Sequence, residues 1–124
     1  MTTALAVAAF LAFAVGLAHS VLGERYILIR LFRRSNLPQL FGSTQFTTRT
    51  LRFAWHLTTV AWWGFGVILW QMAAGAATSQ NVAMAMAGTF GVTAAITAGA
   101  SKGRHLAWPV FLAIAVISYL AGRG

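Results

Sequence analysis

The chain has 124 residues, of which 59% are hydrophobic and only 8% are charged. A soluble domain carries about a quarter charged residues, and a domain this short could not bury so many apolar side chains. This composition excludes an ordinary soluble domain and predicts an integral membrane protein. Because there is no cysteine, a disulfide framework and a thiol nucleophile are excluded as well.

The formal net charge of +8 does not indicate a nucleic-acid-binding protein. The arginines stand at the ends of apolar segments, where they would meet anionic lipid head groups. We therefore predict a lipid bilayer with anionic head groups as the partner of this surface, and no nucleic acid.

The apolar segments predict four transmembrane helices, since a helix needs about 20 apolar residues to span the hydrocarbon. No charged residue occurs between Arg52 and Lys102, so this interval has room for two spans and a turn. The predicted spans are residues 3–22, 53–72, 82–100 and 106–120. We therefore predict an all-α integral membrane protein, with residues 1–124 forming a single bundle of four transmembrane helices.

The first apolar segment also resembles a signal peptide, because Ala18-His19-Ser20 is similar to a cleavage site. It has no basic start, however, and its apolar stretch is longer than the usual run of about 7–15 residues. We predict that it is a retained helix.

The distribution of Lys and Arg predicts the orientation, because cytoplasmic loops are enriched in these residues. Eight of the nine lie in two connections: Arg25, Arg30, Arg33, Arg34, Arg49 and Arg52 in the first, and Lys102 and Arg104 in the third. Both connections are therefore predicted to be cytoplasmic, with both termini outside, in a multi-pass protein of a bacterial inner membrane. The first connection, Glu24–Thr50, mixes arginine with apolar residues and is predicted to contain a basic amphipathic helix at the membrane surface.

Small residues recur every four positions in two of the spans, which places them on one helix face. The first ridge is Ala4, Ala8, Ala12, Gly16 and Ser20, and the other is Ala83, Ala87, Gly91, Ala95 and Gly99. Such ridges let membrane helices approach closely, so we expect the tryptophan-rich second span to fill the space beside them. A second stripe on the third span, from Thr89 to Ser101, is interpreted as hydroxyls bonded within their own helix.

Three histidines and the single acidic residue fall at one predicted membrane level. His19 and His56 each lie three residues inside the cytoplasmic end of a span, about 5 Å deep. His105 begins the fourth span from that side, and Glu24 follows the first. Ionisable residues in spans are costly, which makes this group the candidate functional site.

Two cofactors would suit this group. A transition metal ion such as zinc or iron could be held by His19, His56, His105 and Glu24, since imidazole favours such metals. The alternative is that Glu24 pairs with Arg25 or Arg52, which is the expected role of a lone carboxylate among arginines.

Haem b is the other cofactor, with His19 and His56 as axial ligands. Arg49 and Arg52 lie on the same helix face as His56 and would pair with the propionates. Trp63, seven residues after His56, would add a flat apolar surface. Redox or electron-transfer activity is the corresponding function.

Functions of other classes stay open. The same basic and imidazole groups would bind a quinone or an anionic lipid head group. The small-residue ridges suit a cofactor-free accessory or assembly subunit of a larger membrane complex, or a homo-oligomer, and a small dimeric transporter is a further option. Hydrolysis and phosphoryl transfer are disfavoured, because the chain has no aspartate, no glycine-rich phosphate loop and no paired carboxylates.

Overall fold

The computed structural model describes all 124 residues and contains four helices and no strand. The helices are α1 (Thr2–Leu31), α2 (Gln45–Ala73), α3 (Ser79–Ala100) and α4 (Trp108–Arg123). The prediction of an all-helical chain with four helices is confirmed.

Helix α1 is continuous beyond the predicted end of the first span. Its 30 residues give a length of about 45 Å, and Glu24–Leu28 form a π-helical turn within it. No proline or turn sequence interrupts the chain between Gly23 and Leu31, so the first part of the predicted connection belongs to this helix. The basic amphipathic segment is therefore an extension of α1 and not a separate surface helix.

The other helices also extend past the apolar segments that predicted them. Helix α2 begins at Gln45, eight residues before the predicted start of the span, because threonine and arginine extend a helix without adding hydropathy. Helix α3 begins with an N-cap, in which the backbone N–H of Asn81 donates to Thr78 Oγ1 at 3.1 Å. Helix α4 has Pro109 in its first turn, where no backbone N–H is needed.

The helices pack in the order of the chain: α1 against α2, α2 against α3, and α3 against α4. No comparable contact brings α4 back to α1, so the helices form an open row. The end that carries the α1–α2 and α3–α4 connections holds eight of the nine Lys and Arg residues and is called the basic end below.

Close contact of small residues forms the interior of this row. Only 13 of the 124 residues are buried, and the buried apolar ones are Ala9, Leu28, Phe53, Ala94 and Ala115. Between α1 and α2, a β-carbon on Gly16 would come within 2.6 Å of the Trp63 indole nitrogen. The expected fit of a bulky α2 against the small ridge of α1 is therefore observed.

The contact between α2 and α3 differs from the expectation. Here Gly64 of α2 makes room for Thr89 of α3, so the hydroxyl stripe faces α2. The Ala/Gly ridge of α3 instead turns toward α4, where Gly91 lies opposite Ala115. Thr89, Thr93 and Ser101 bond to carbonyls of their own helix, as expected, whereas the buried Thr97 hydroxyl has no hydrogen-bond partner.

Most of the apolar surface faces outward. Helices α1 and α3 are long and apolar enough to cross a membrane, and only 11% of the most apolar window of each is buried within the protein. Helix α4 is apolar but has 16 residues, and α2 carries more polar side chains along its length. By length and composition, therefore, two of the four helices could span a membrane.

Candidate functional site

A network of polar side chains joins α1 to α2 near the basic end. Ser20 and Glu24 stand four residues apart on α1 and therefore share one helix face. On α2, Arg52, His56 and Thr59 share a face by the same periodicity. These five residues are called the interhelical network below, and they bring two of the predicted ligands, Glu24 and His56, into contact.

Glu24, the only acidic residue of the chain, binds two partners at once. Arg52 approaches it with two nitrogens, Nη2 at 2.9 Å from Oε1 and Nε at 3.2 Å from Oε2. This two-point geometry is the stronger form of an arginine–carboxylate contact. His56 Nε2 lies 3.2 Å from the same Oε2. We expected Glu24 to pair with Arg25 or Arg52, and the structure shows the pair with Arg52.

His56 uses both of its ring nitrogens, since Nδ1 also lies 2.9 Å from Ser20 Oγ. The Ser20 hydroxyl is 2.7 Å from Thr59 Oγ1, and Thr59 donates its single proton to the Gly16 carbonyl at 3.0 Å. Ser20 must then donate to Thr59 and accept from His56. All these bonds form together when both His56 nitrogens carry a proton, opposite the Glu24 carboxylate.

Serine, histidine and a carboxylate are also the groups of a hydrolytic triad, in which histidine takes the serine proton. In this network the Ser20 proton is directed to Thr59. Ser20 also lies inside a helix, where backbone N–H groups are bonded to carbonyls and cannot stabilise an oxyanion. The geometry therefore favours a network that fixes α1 on α2 over a nucleophile.

His19 and Trp55 form a reciprocal pair beside this network. Their rings are stacked, with centroids 4.4 Å apart and planes within 3°. The Trp55 indole N–H donates to the His19 carbonyl at 3.1 Å, and His19 Nε2 donates to the Trp55 carbonyl at 3.3 Å. Because a carbonyl can only accept, the proton of a neutral His19 ring is on Nε2, which leaves Nδ1 as an acceptor.

An apolar groove of about 440 Å³ opens along this pair on the outer side of α1 and α2. Its walls include the rings of His19, Tyr26, Trp55 and Trp62, with Val15, Ala18, Leu22, Gly23 and Ile27 completing it. Trp62 meets His19 edge to face at 4.9 Å between ring centroids. The volume lies within the range of sites for small organic ligands.

Three polar groups of the groove residues have no partner in the protein. The indole N–H of Trp62, the hydroxyl of Tyr26 and Nδ1 of His19 make no hydrogen bond. Neither Nδ1 nor the Trp62 nitrogen is sealed in the interior. The groove thus combines apolar aromatic walls with two possible donors and one acceptor.

His105 lies apart from the other two histidines. It packs against two phenylalanine rings of α2, at 5.3 Å from Phe53 and 6.3 Å from Phe46. Its Nδ1 accepts the backbone N–H of Ala107 at 3.3 Å. No ring contact or hydrogen bond connects it to His19 or His56, so the predicted set of four metal ligands does not come together.

The remaining predicted residues divide among separate places. Arg49 lines a small cavity at the basic end together with Arg104. Trp63 donates to the Phe13 carbonyl at 3.1 Å, and it is Trp62 that faces His19. The reason is the 100° step between adjacent helical residues, which directs neighbouring tryptophans to different faces.

No group of three histidine, cysteine or acidic side chains in this structure is arranged to hold a metal ion. An iron between His19 and His56 would have to displace existing bonds, since His56 has both nitrogens engaged and His19 is stacked on Trp55. The haem and metal hypotheses stay predictions. In this structure His56 is bonded to Ser20 and Glu24, and His19 is paired with Trp55.

Ser20, Thr59 and Trp62, which complete the interhelical network and the groove, were not among the predicted site residues. Helical spacing could have indicated two of them, because Ser20 lies four residues from Glu24 and Thr59 lies three residues from His56. Trp62 could be recognised only after the face of α2 that packs on α1 was known.

The chain matches no protein-family model. Neither a curated protein nor a solved structure matches it at a significant level.

Proposed function

We propose that the protein is an integral membrane protein whose groove between α1 and α2 binds a quinol, a flat hydroxyl-bearing ring on an apolar tail. The observation that carries this proposal is the set of unpartnered polar groups around an apolar groove: His19 Nδ1, the Trp62 indole N–H and the Tyr26 hydroxyl.

Insertion of all four helices is supported by where the apolar side chains lie. Large hydrophobic residues are exposed on every helix, including Phe10 at 70%, Phe65 at 58% and Ile117 at 66%. A monomer in water does not expose contiguous apolar surface on this scale. The charge bias then favours an orientation with the basic end at the cytoplasmic face and both termini outside. In this orientation the groove opens toward lipid and extends from Tyr26, which lies beside Arg25 and Arg30, to Val15, so that His19 and Trp62 are on the hydrocarbon side of the arginines.

At that depth an unpartnered polar group is unfavourable. A hydrogen-bonding group without a partner in the hydrocarbon costs on the order of several kcal/mol. His19 and Trp62 line the groove and each has an unpartnered polar group, so a ligand that satisfies these groups would be stabilised there relative to acyl chains. The occupant should therefore be a membrane-soluble molecule with a polar head.

The hydrogen-bond pattern favours the reduced ring. A quinol hydroxyl can donate to His19 Nδ1, while its oxygens accept from Trp62 and Tyr26. A quinone has no proton to donate and would leave the acceptor of a neutral His19 unpartnered. The indole rings of Trp55 and Trp62 supply the flat apolar walls, against which an aromatic head packs better than a glycerol head. The proposed role is to bind and position the quinol at the membrane interface.

The first test is the quinone content of the protein purified in mild detergent from fresh membranes. Extracted quinone plus quinol should approach one molecule per chain, well above its ratio to lipid in the same membranes. Trp62→Phe and Tyr26→Phe each remove one polar group and keep the ring, and both should lower the retained amount. Matched changes outside the groove, Trp70→Phe and Tyr119→Phe, should not. A content equal to that of bulk lipid in every variant would overturn the proposal.

A second candidate is an accessory subunit of a larger membrane complex, and the open helix row favours it. Since α4 does not pack on α1, both ends of the row keep an unpaired helix face. Pull-down from membranes after mild crosslinking would test this role. A defined partner at constant stoichiometry supports it, and recovery of the chain alone contradicts it.

A further inference from the structure

A second cavity, separate from the groove, lies at the basic end. It is enclosed by the α1–α2 connection, the first turn of α2 and the α3–α4 connection. Its volume is about 30 Å³, room for roughly two water molecules, which suits a small oxyanion group and excludes an organic ring. The polar residues lining it are Ser43, Gln45, Arg49, Ser101 and Arg104.

Two arginines meet at this cavity without a counter-charge. Arg49 comes from α2 and Arg104 from the α3–α4 connection. The only acidic residue, Glu24, is bound to Arg52 and His56, and no other ion pair exists in the protein. The two positive charges at one small cavity therefore favour an anion as its occupant.

Neutral donors add to this preference for an anion. The backbone N–H groups of Phe46 and Thr47, in the first turn of α2, make no hydrogen bond. Thr44, which precedes the helix, provides no side-chain cap. Phe46 lines the cavity together with the two arginines, and guanidinium and backbone N–H groups are donors that match the several oxygens of a phosphate.

Arg104 packs on an aromatic ring of the α1–α2 connection. Its guanidinium lies over the ring of Phe41, 5.6 Å from the centroid, and that ring in turn meets Phe46 at 5.0 Å. Phe41 has a positive φ of 56° and is largely exposed. Bulky residues rarely adopt this conformation, and here it accompanies the contact of Phe41 with the Arg104 guanidinium.

We propose that this cavity binds a phosphate group, with Arg49 and Arg104 as its charged ligands. The group can belong to an anionic lipid head or to a soluble phosphate. The inference does not depend on the quinol groove, because the two sites share no residue.

The experiment measures retention of phosphatidylglycerol by the full chain, using native mass spectrometry from mild detergent. The test variant is Arg49→Gln with Arg104→Gln. The matched control is Arg33→Gln with Arg34→Gln, which removes the same charge from exposed residues outside the cavity. Inorganic phosphate is then titrated against the retained lipid, and against lipid-free protein by 31P NMR line broadening.

The test variant should retain about tenfold less phosphatidylglycerol than wild type, and the control less than twofold less. Displacement of the lipid by inorganic phosphate at low millimolar concentration would assign the site to a soluble phosphate, and resistance would assign it to lipid. Equal loss in both variants, or no binding of either probe to the wild type, would overturn the proposal.

Ser43→Glu provides a second variant in case the double substitution misfolds. It keeps both arginines and places a carboxylate at the cavity, where Ser43 is exposed. Binding of both probes should be lost while the helical circular dichroism spectrum is unchanged. Retained binding would contradict the assignment.

Discussion

Gly23 of α1 lies directly against the indole ring of Trp55 of α2, so that a β-carbon at position 23 would overlap atoms Nε1, Cε2 and Cζ2 of the ring. The same indole stacks on His19 and donates to its backbone carbonyl. Because Gly23 has no side chain, α1 approaches α2 closely at Trp55. The Trp55 ring that is held there forms part of the groove wall.

Gly23→Ala should therefore destabilise the protein, because the Trp55 ring must move away from both Gly23 and His19. Overpacking of this kind costs about 1–3 kcal/mol. Thermal unfolding in detergent, followed by circular dichroism, measures the effect. Gly88→Ala is the matched control, since position 88 is helical and has open space around it. Equal melting temperatures for the two variants would contradict the close contact.

Glu24→Gln should weaken the contact between α1 and α2, because the amide cannot neutralise Arg52 or a protonated His56. All three side chains are between 31% and 44% exposed, so the Glu24–Arg52 coupling should amount to only about 1 kcal/mol or less. A double-mutant cycle of Glu24→Gln and Arg52→Gln isolates this coupling. Additive effects would show that the ion pair contributes nothing to stability.

The absence of native cysteine makes the orientation directly testable. Single cysteines at Ser35, in the α1–α2 connection, and at Ala77, between α2 and α3, should label from opposite sides of the membrane. An impermeant maleimide should reach Ala77→Cys in intact cells, and should reach Ser35→Cys only after the cells are opened. The reverse pattern would invert the orientation, and labelling of both in intact cells would contradict four spans.

The haem hypothesis and the hydrogen bonds of His56 lead to opposite expectations for the absorption spectrum. If His19 and His56 are axial ligands, the purified protein has a Soret band that is lost in either alanine variant. The hydrogen bonds of His56 to Ser20 and Glu24 lead us to expect no such band. A band present in wild type and absent in His56→Ala would show that the network rearranges to bind haem.

The helices were predictable from the sequence because apolar length and composition are local properties. The ends of the helices were less predictable, because α2 starts in a polar segment and α1 continues through the arginines after Gly23. Hydropathy indicates where lipid can lie and not where helical hydrogen bonding stops.

The site was predictable in part. The shared depth of His19, His56 and Glu24 was visible in their spacing, and the contact of His56 with Glu24 follows from it. The position of His105 was not visible, because it depends on the packing of Phe46 and Phe53 of α2 against its ring.

The partners of His19 and His56 also depend on how α1 and α2 are rotated about their own axes where they pack. That rotation decides that Trp62, and not Trp63, lies beside His19. No local feature of the sequence determines it, because it results from the fit of Gly16 and Gly23 against the tryptophans of α2.

The most direct test of the proposed function is the affinity of a short-chain ubiquinol for the protein in nanodiscs, corrected for partition into empty nanodiscs. Loss of one hydrogen bond in Trp62→Phe should raise the Kd about fivefold to tenfold. Trp70→Phe, which makes the same change outside the groove, should leave the Kd unchanged. The corresponding quinone should bind more weakly than the quinol to the wild type. Equal affinities for all three proteins, or uptake no greater than that of empty nanodiscs, would contradict quinol binding in the groove.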